Sequence, residues 1–115
     1  MTRMVSFVVS SCVVAWGLAL AVAPAWAQDA KAGEKLFADQ KCSVCHSIAG
    51  KGNVKGPLDD VGSRLPAADL RAWLTDAKAM TAKTKAPRKP EMKAYTLEKD
   101  EVDALVAYLL TLKKK

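Results

Sequence analysis

Histidine and cysteine are scarce in this sequence, whose 115 residues include one histidine and three cysteines. After residue 28 the only such side chains are Cys42, Cys45 and His46. A structural zinc site needs four cysteine or histidine ligands, so that class of site is excluded for this part of the chain. The same part lacks the alternating valine and isoleucine pattern that predicts β-strands. Because a thioredoxin-type dithiol lies in a βαβ unit, that class of protein is also disfavoured.

Acidic residues are absent from the first 27 positions, which differ in composition from the rest of the chain. Arg3 provides a basic start, residues 5–22 are apolar, and Ala25-Trp26-Ala27 is a small-x-small cleavage site before Gln28. This pattern predicts a cleaved signal peptide over residues 1–27, a single mature domain over residues 28–115 and a periplasmic protein. The alternative is an uncleaved membrane anchor, because the apolar run approaches the length of a spanning helix.

The strongest motif is Cys42-Ser43-Val44-Cys45-His46, a C-x-x-C-H sequence typical of c-type haem attachment. Two thiols at this spacing can form thioethers with the two vinyl groups on one edge of a haem. The following histidine can then bind the iron as the proximal ligand. A plain disulfide between Cys42 and Cys45 would leave the histidine without a role. The motif therefore predicts one covalently attached haem c, held by Cys42 and Cys45 and coordinated by His46.

Helical periodicity predicts an all-α fold of three to five helices wrapped around that haem. The apolar residues of 29–40, 66–77 and 97–112 recur at helical spacing, and the last of these segments has the clearest stripe. Residues 48–63 are rich in glycine and predict an irregular loop, and we expect residues 78–95 to be irregular as well. Trp73 in the second helix has two open interpretations. It packs in the core, or its indole N–H also reaches a haem propionate.

The sixth iron ligand can be narrowed by elimination, because His46 is the only histidine and bis-histidine ligation is impossible. Once residues 1–27 are removed, the remaining methionines are Met80 and Met92. Met80 continues the period of the second helix, as a core residue does. Met92 lies in a proline-flanked segment before the last helix, so we favour Met92 as the ligand. Met80, a lysine or an open sixth position are the alternatives.

With these motifs in place, the sequence resembles the small class I c-type cytochromes, the single-haem electron carriers of the bacterial periplasm and of mitochondria. The resemblance covers almost all of residues 29–112, including the C-x-x-C-H motif, Gly56-Pro57 and the segment around Met92. It implies that the first and last helices cross with Gly33 against Tyr108. It also implies that the carbonyl of Pro57 accepts a hydrogen bond from the proximal imidazole.

The ligand set predicts an electron carrier rather than an enzyme, because histidine and methionine together leave the iron no open position. One alternative is a haem-bearing subunit of a larger oxidoreductase complex. Another is a haem protein with a labile sixth site that acts on peroxide or a small gas, although no distal histidine or arginine constellation is recognisable.

The net positive charge of the chain predicts the kind of partner that it binds. Eighteen basic residues oppose twelve acidic ones, and residues 78–93 hold six cations against the single acid Glu91. No nucleic-acid motif is present, so we expect acidic redox proteins or membrane respiratory complexes as partners. The alternative is that these cations form only a solvated loop. We expect a monomer without stable membrane insertion once the signal peptide is cleaved.

Overall fold

The computed structural model describes residues 25–115, and its regular structure is mostly helical. The helices are α1 (Ala25–Asp39), α2 (Val61–Arg64), α3 (Ala67–Thr75), α4 (Ala77–Thr84) and α5 (Lys99–Thr111). A 3₁₀ helix (Cys42–Val44) and the strands β1 (Ser47–Ile48) and β2 (Lys51–Gly52) lie between α1 and α2. The all-α prediction with three to five helices is confirmed. Residues 1–24, which make up most of the predicted signal peptide, lie outside the described residues. The removal of this peptide therefore stays a prediction.

Helices α1 and α5 pack directly against each other, and Gly33 is the point of closest approach. A Cβ atom on Gly33 would overlap the carbonyl oxygen of Ala104 and lie 2.6 Å from the Cβ of Tyr108. One turn further along α1, the Phe37 ring meets the Tyr108 ring edge-on, with centroids 5.9 Å apart. The contact between Gly33 and Tyr108 that the resemblance implied is therefore confirmed.

The hydrophobic core lies mainly between α3 and α5, with α2 closing one end. Its buried members come from these three helices: Val61, Leu70, Leu74, Val102, Leu105, Val106 and Leu109. Leu36 and Phe37 of α1 pack against this cluster from the other side of α5 and are partly buried. The apolar stripe that predicted the last helix is thus the side of α5 that builds the core.

Charged side chains also join α3 to α5 at the surface. Asp103 accepts hydrogen bonds from Arg71 of α3 and from Lys99 Nζ, the latter at 2.9 Å. Lys99 and Arg71 lower the pKa of Asp103 below its ordinary value. Because all three side chains are substantially exposed, this network adds less to stability than the apolar core does.

The structure contains a helix that the sequence analysis missed. Residues 77–84 form α4, although we expected an irregular path from Lys78 onward. The carboxylate of Asp76 accepts a hydrogen bond from the backbone N–H of Ala79 at 3.3 Å and so caps the start of α4. Lys85 ends it in a left-handed conformation, before the prolines at 87 and 90. The prolines therefore lie beyond the end of α4 and do not prevent this helix from forming. Residues 86–95 contain no helix, as predicted, and α5 begins at Lys99, two residues later than the predicted start.

Residues 47–52 form a short hairpin where the sequence predicted only a loop. Ser47 pairs with Gly52 and Ile48 with Lys51, so Ala49 and Gly50 make a two-residue turn. Both turn residues have positive φ, as a type I′ turn requires. The Asp59 carboxylate accepts a hydrogen bond from the N–H of Ala49 at 2.6 Å and helps to hold this turn. None of the helices in residues 25–115 is long and apolar enough to cross a membrane.

Candidate haem site

The two cysteines of the motif lie at the start and the end of one tight turn. After α1 ends, Lys41 adopts a left-handed conformation and the 3₁₀ helix begins at Cys42. The 3₁₀ helix ends at Val44, and Cys45 caps its C-terminal end. The backbone N–H groups of Cys45 and His46 both donate to the carbonyl of Cys42, at 3.1 and 2.9 Å. This turn suits attachment of both thiols to one haem edge.

Both thiols are free, and their environments differ. Cys42 is half-buried beside the end of α1, whereas Cys45 is exposed. Burial raises the pKa of the Cys42 thiol above its ordinary value, so this thiol is protonated at neutral pH. Because the two sulfurs are not joined to each other, both are available for thioether bonds.

The imidazole of His46 is oriented by one hydrogen bond. Its Nδ1 lies 3.1 Å from the carbonyl oxygen of Gly56 and donates to it. This tautomer leaves Nε2 with the lone pair that a metal ligand needs. Partial burial lowers the pKa of His46 below its ordinary value, although the bond to Gly56 opposes this effect. The ring is therefore neutral at neutral pH, in the form that binds iron.

The acceptor of this hydrogen bond differs from the expectation by one residue. The resemblance implied the carbonyl of Pro57, whereas the structure has that of Gly56. Ser47 and Pro57 form a parallel bridge, in which Ser47 N–H donates to Gly56 O at 3.0 Å and Leu58 N–H donates to Ser47 O at 2.9 Å. This bridge turns the Gly56 carbonyl toward His46 and Ser47, so that it accepts from both. Pro57 itself is exposed and keeps the loop in place through the bridge.

Arg88 and Asn53 also belong to this site, and the sequence analysis assigned a role to neither. The guanidinium of Arg88 packs over Gly56, and a Cβ there would lie 2.9 Å from Arg88 Cζ. Asn53 holds the loop against the motif, because its backbone N–H donates to the carbonyls of Ser43 and His46 at 3.0 Å each. Its side-chain amide donates to the Val44 carbonyl at 3.2 Å. Arg88 was counted only as a surface cation, and no sequence signal separates it from the neighbouring lysines.

The two candidate methionines have different surroundings. Met80 is 7% exposed within α4, which agrees with the expectation of a core residue. Met92 lies in the irregular segment before α5, is half-buried and packs against the edge of the core. Trp73 is also half-buried on α3. A half-buried position fits both interpretations of Trp73, as a core residue and as a hydrogen-bond donor to a haem propionate.

Tyr95 joins the segment that carries Met92 to α3. Its backbone N–H donates to the carbonyl of Leu74 in α3 at 3.1 Å. Burial raises the pKa of the Tyr95 hydroxyl, and the nearby Cys42 and Cys45 thiols raise it further. The sequence analysis quoted this residue only as part of the resemblance and gave it no role.

Within residues 25–115, no three histidine, cysteine, aspartate or glutamate side chains come together in a group that could hold a metal ion. The donor that the described geometry presents is the Nε2 of His46, and the methionine ligand stays a prediction. This donor, beside two free thiols in one turn, fits an iron held in a covalently attached porphyrin.

Comparison with known proteins agrees with this site. The model of the cytochrome c family matches residues 30–113. The chain belongs to the cytochrome c family. This cytochrome c is therefore a haem protein of electron transport, and its haem c is attached covalently and contains iron. Cys42, Cys45 and His46 all lie inside the matched region.

One curated relative is similar in sequence to part of this chain. The chain is 29% identical over 93 residues to "Cytochrome c oxidase subunit 2" of Alkalihalophilus pseudofirmus. The alignment covers 73% of this cytochrome c and 26% of the relative, so the chain spans about a quarter of that protein's length. No solved structure matches the chain significantly.

Proposed function

We propose that this cytochrome c carries single electrons between periplasmic redox partners, with His46 and Met92 as the two axial ligands. When bound, the haem supplies reversible one-electron exchange at its iron. The observation that carries the proposal is the hydrogen bond from His46 Nδ1 to Gly56 O, at 3.1 Å. It presents Nε2 as a permanent ligand beside two free thiols.

The chain's residues have three separate roles in this proposal. Cys42 and Cys45 tether the ring, so the cofactor stays with the protein through many electron transfers. His46 is oriented by its hydrogen bond to Gly56, and partial burial lowers its pKa and so favours the neutral ring. Met92 fills the remaining axial position with a thioether, which favours the reduced state and excludes substrates. We therefore do not propose an enzyme, since that would need an open or labile sixth position.

The proposed ligand set can be tested with carbon monoxide. When the protein is reduced near neutral pH and exposed to the gas, we expect its visible spectrum to change little, because Met92 occupies the position that carbon monoxide needs. The measurement is the Soret spectrum before and after addition, with a five-coordinate haem protein as the positive control. Immediate stoichiometric binding would instead favour the labile-site alternative, an enzyme or a gas-binding protein.

The proposed location rests on the signal-peptide pattern of residues 1–27. We expect the protein recovered from the periplasmic fraction to start at Gln28 and to carry one haem that acid and organic solvent do not extract. Intact-mass spectrometry measures both properties at once. A membrane-bound protein that keeps residues 1–27 would show that the segment is an anchor, and extractable haem would exclude thioether attachment.

A second candidate function is that of a haem-bearing component of a respiratory complex. The likeness to "Cytochrome c oxidase subunit 2" favours it, because that relative's name places a similar sequence in an oxidase. Under this alternative the partner is bound permanently. Co-purification of this cytochrome c with oxidase subunits from gently solubilised membranes would distinguish it from a free carrier.

For a free carrier, we propose that the basic segment of residues 78–93 attracts acidic partners. Lys78, Lys83 and Lys85 are exposed on and just after α4. Two other cations of the segment have local contacts, because Lys89 pairs with Glu91 and Arg88 packs over Gly56. We therefore expect Lys83 and Lys85, at the end of α4, to contribute most to the attraction of an acidic partner.

Reversing two of these charges should slow reaction with an anion. We expect Lys83→Glu with Lys85→Glu to lower the oxidation rate by hexacyanoferrate(III) about tenfold at low ionic strength. The difference should shrink near ~0.15 M salt, where the screening length is about 8 Å. Stopped-flow absorbance measures the rates, and Lys113→Glu with Lys114→Glu is the matched control with the same change in net charge.

The contrary outcome would identify another contact surface. If neither salt nor the Lys83 and Lys85 substitutions change the rate, the basic segment does not face the partner. Val44 and Val54 are 67% and 68% exposed beside the cysteine turn, and they would then be the better candidates for the contact.

A further inference from the structure

The segment that carries Met92 has few attachments to the rest of the protein. Residues 86–98 contain no helix or strand before α5 begins. Among the described residues, positions 87–97 form a single backbone-to-backbone hydrogen bond, from Tyr95 N–H to Leu74 O at 3.1 Å. Leu74 is a buried core residue of α3, so its carbonyl is a rigid acceptor. Apart from the packing of its own side chain against the core, the position of Met92 thus depends on a tether three residues away.

The chain between Met92 and this tether is restrained by a side-chain contact. Nζ of Lys93 lies 5.3 Å from the centroid of the Tyr95 ring, within the range of a cation–π interaction. Lys93 directly follows Met92, and a lysine by itself leaves the backbone torsions at that position free. When its ammonium group is held over the Tyr95 ring, those torsions are restricted. The ring is itself half-buried.

We propose that Tyr95 and Lys93 are positioning residues that keep the thioether of Met92 at the iron. This inference rests on the proposed function, in which Met92 is the sixth ligand. Tyr95 supplies the tether to α3 and a half-buried aromatic ring, and Lys93 closes the two-residue link back to Met92. Neither residue binds the iron. They lower the rate at which the Met92 thioether dissociates from the iron.

The dissociation of Met92 can be measured with imidazole. In the oxidised holoprotein, imidazole binds only after the thioether has left, so the rate at saturating imidazole equals the dissociation rate. We expect Lys93→Gln and Tyr95→Leu each to raise this rate about two- to fivefold, as the loss of an exposed cation–π contact predicts. Lys93→Arg and Tyr95→Phe keep the cation and the ring, and both should stay close to the wild-type rate.

A double variant tests whether the two side chains act through each other. If they do, Lys93→Gln combined with Tyr95→Leu should be no faster than the faster single variant. Lys31→Gln removes an exposed positive charge from α1 and controls for the change in net charge. If Lys93→Gln behaves like Lys31→Gln, or if the two single effects multiply, the proposal is wrong.

The test also separates this proposal from the assignment of the ligand. If Met92→Ala leaves the imidazole rate unchanged, Met92 is not the ligand, and both the ligation and this inference fail. If Met92→Ala abolishes the slow phase while the Lys93 and Tyr95 variants have no effect, only the positioning role fails. Because Lys93 is exposed, its substitutions test the proposal even if Tyr95→Leu folds poorly.

Discussion

Replacing Met92 with alanine should remove the weak charge-transfer band that a thioether bond to ferric haem produces, and should let the reduced protein bind carbon monoxide fully. The reason is that alanine offers no ligand atom, so the sixth position opens. We also expect a lower reduction potential, because a thioether stabilises the ferrous state. Absorbance spectroscopy of the oxidised protein and carbon monoxide titration of the reduced protein measure these changes.

Met80→Leu is the matched control for this experiment. Met80 is buried in α4, and leucine has a similar volume, so this change should cost less than about 1.5 kcal/mol of folding free energy and leave the band intact. Loss of the band in Met80→Leu but not in Met92→Ala would reverse the assignment. A wild-type protein with neither the band nor carbon monoxide binding would point to a lysine ligand.

Adding one methyl group at Gly33 should destabilise the protein by about 2 kcal/mol net, since overpacking at this position costs about 3 kcal/mol. The Cβ of Gly33→Ala would overlap the backbone carbonyl oxygen of Ala104, which cannot move without shifting α5. Alanine's better helix propensity offsets only about 1 kcal/mol of this cost. Guanidinium unfolding of the holoprotein, followed by haem absorbance, measures the free energy of unfolding.

Ala32→Ser provides a comparison at an exposed position of the same helix, where we expect a change of about 0.5 kcal/mol or less. Truncating Tyr108 should not rescue Gly33→Ala, because the main overlap is with backbone atoms of α5. A Gly33→Ala protein that is more stable than the wild type would mean that α1 and α5 can separate at little cost.

Much of the helical framework was predictable because its signals are local. The apolar stripe of residues 97–112 predicted α5, and its members Leu105 and Leu109 are buried in the core. Helix α4 was missed because its lysines and the following prolines outweighed a weak apolar pattern. Asp76 could have revealed it, since an aspartate before an alanine-rich stretch is a helix-capping signal.

The sequence by itself determined the chemistry of the cofactor site. Thioether attachment and proximal ligation need particular residue types at short fixed spacing, and Cys42, Cys45 and His46 satisfy that need within five positions. The assignment of Met92 depended on counting the remaining ligands and stays a prediction. The roles of Pro57 and Trp73 as residues that contact the haem also stay predictions.

Only the tertiary structure decided how that chemistry is held in place. The acceptor for His46 is Gly56 rather than Pro57, because a bridge between Ser47 and Pro57 sets the direction of the Gly56 carbonyl. The packing of Arg88 over Gly56 and the bond from Tyr95 to Leu74 join residues that are 32 and 21 positions apart. Contacts at such separations depend on how the helices pack, and helical periodicity and motif spacing do not specify them.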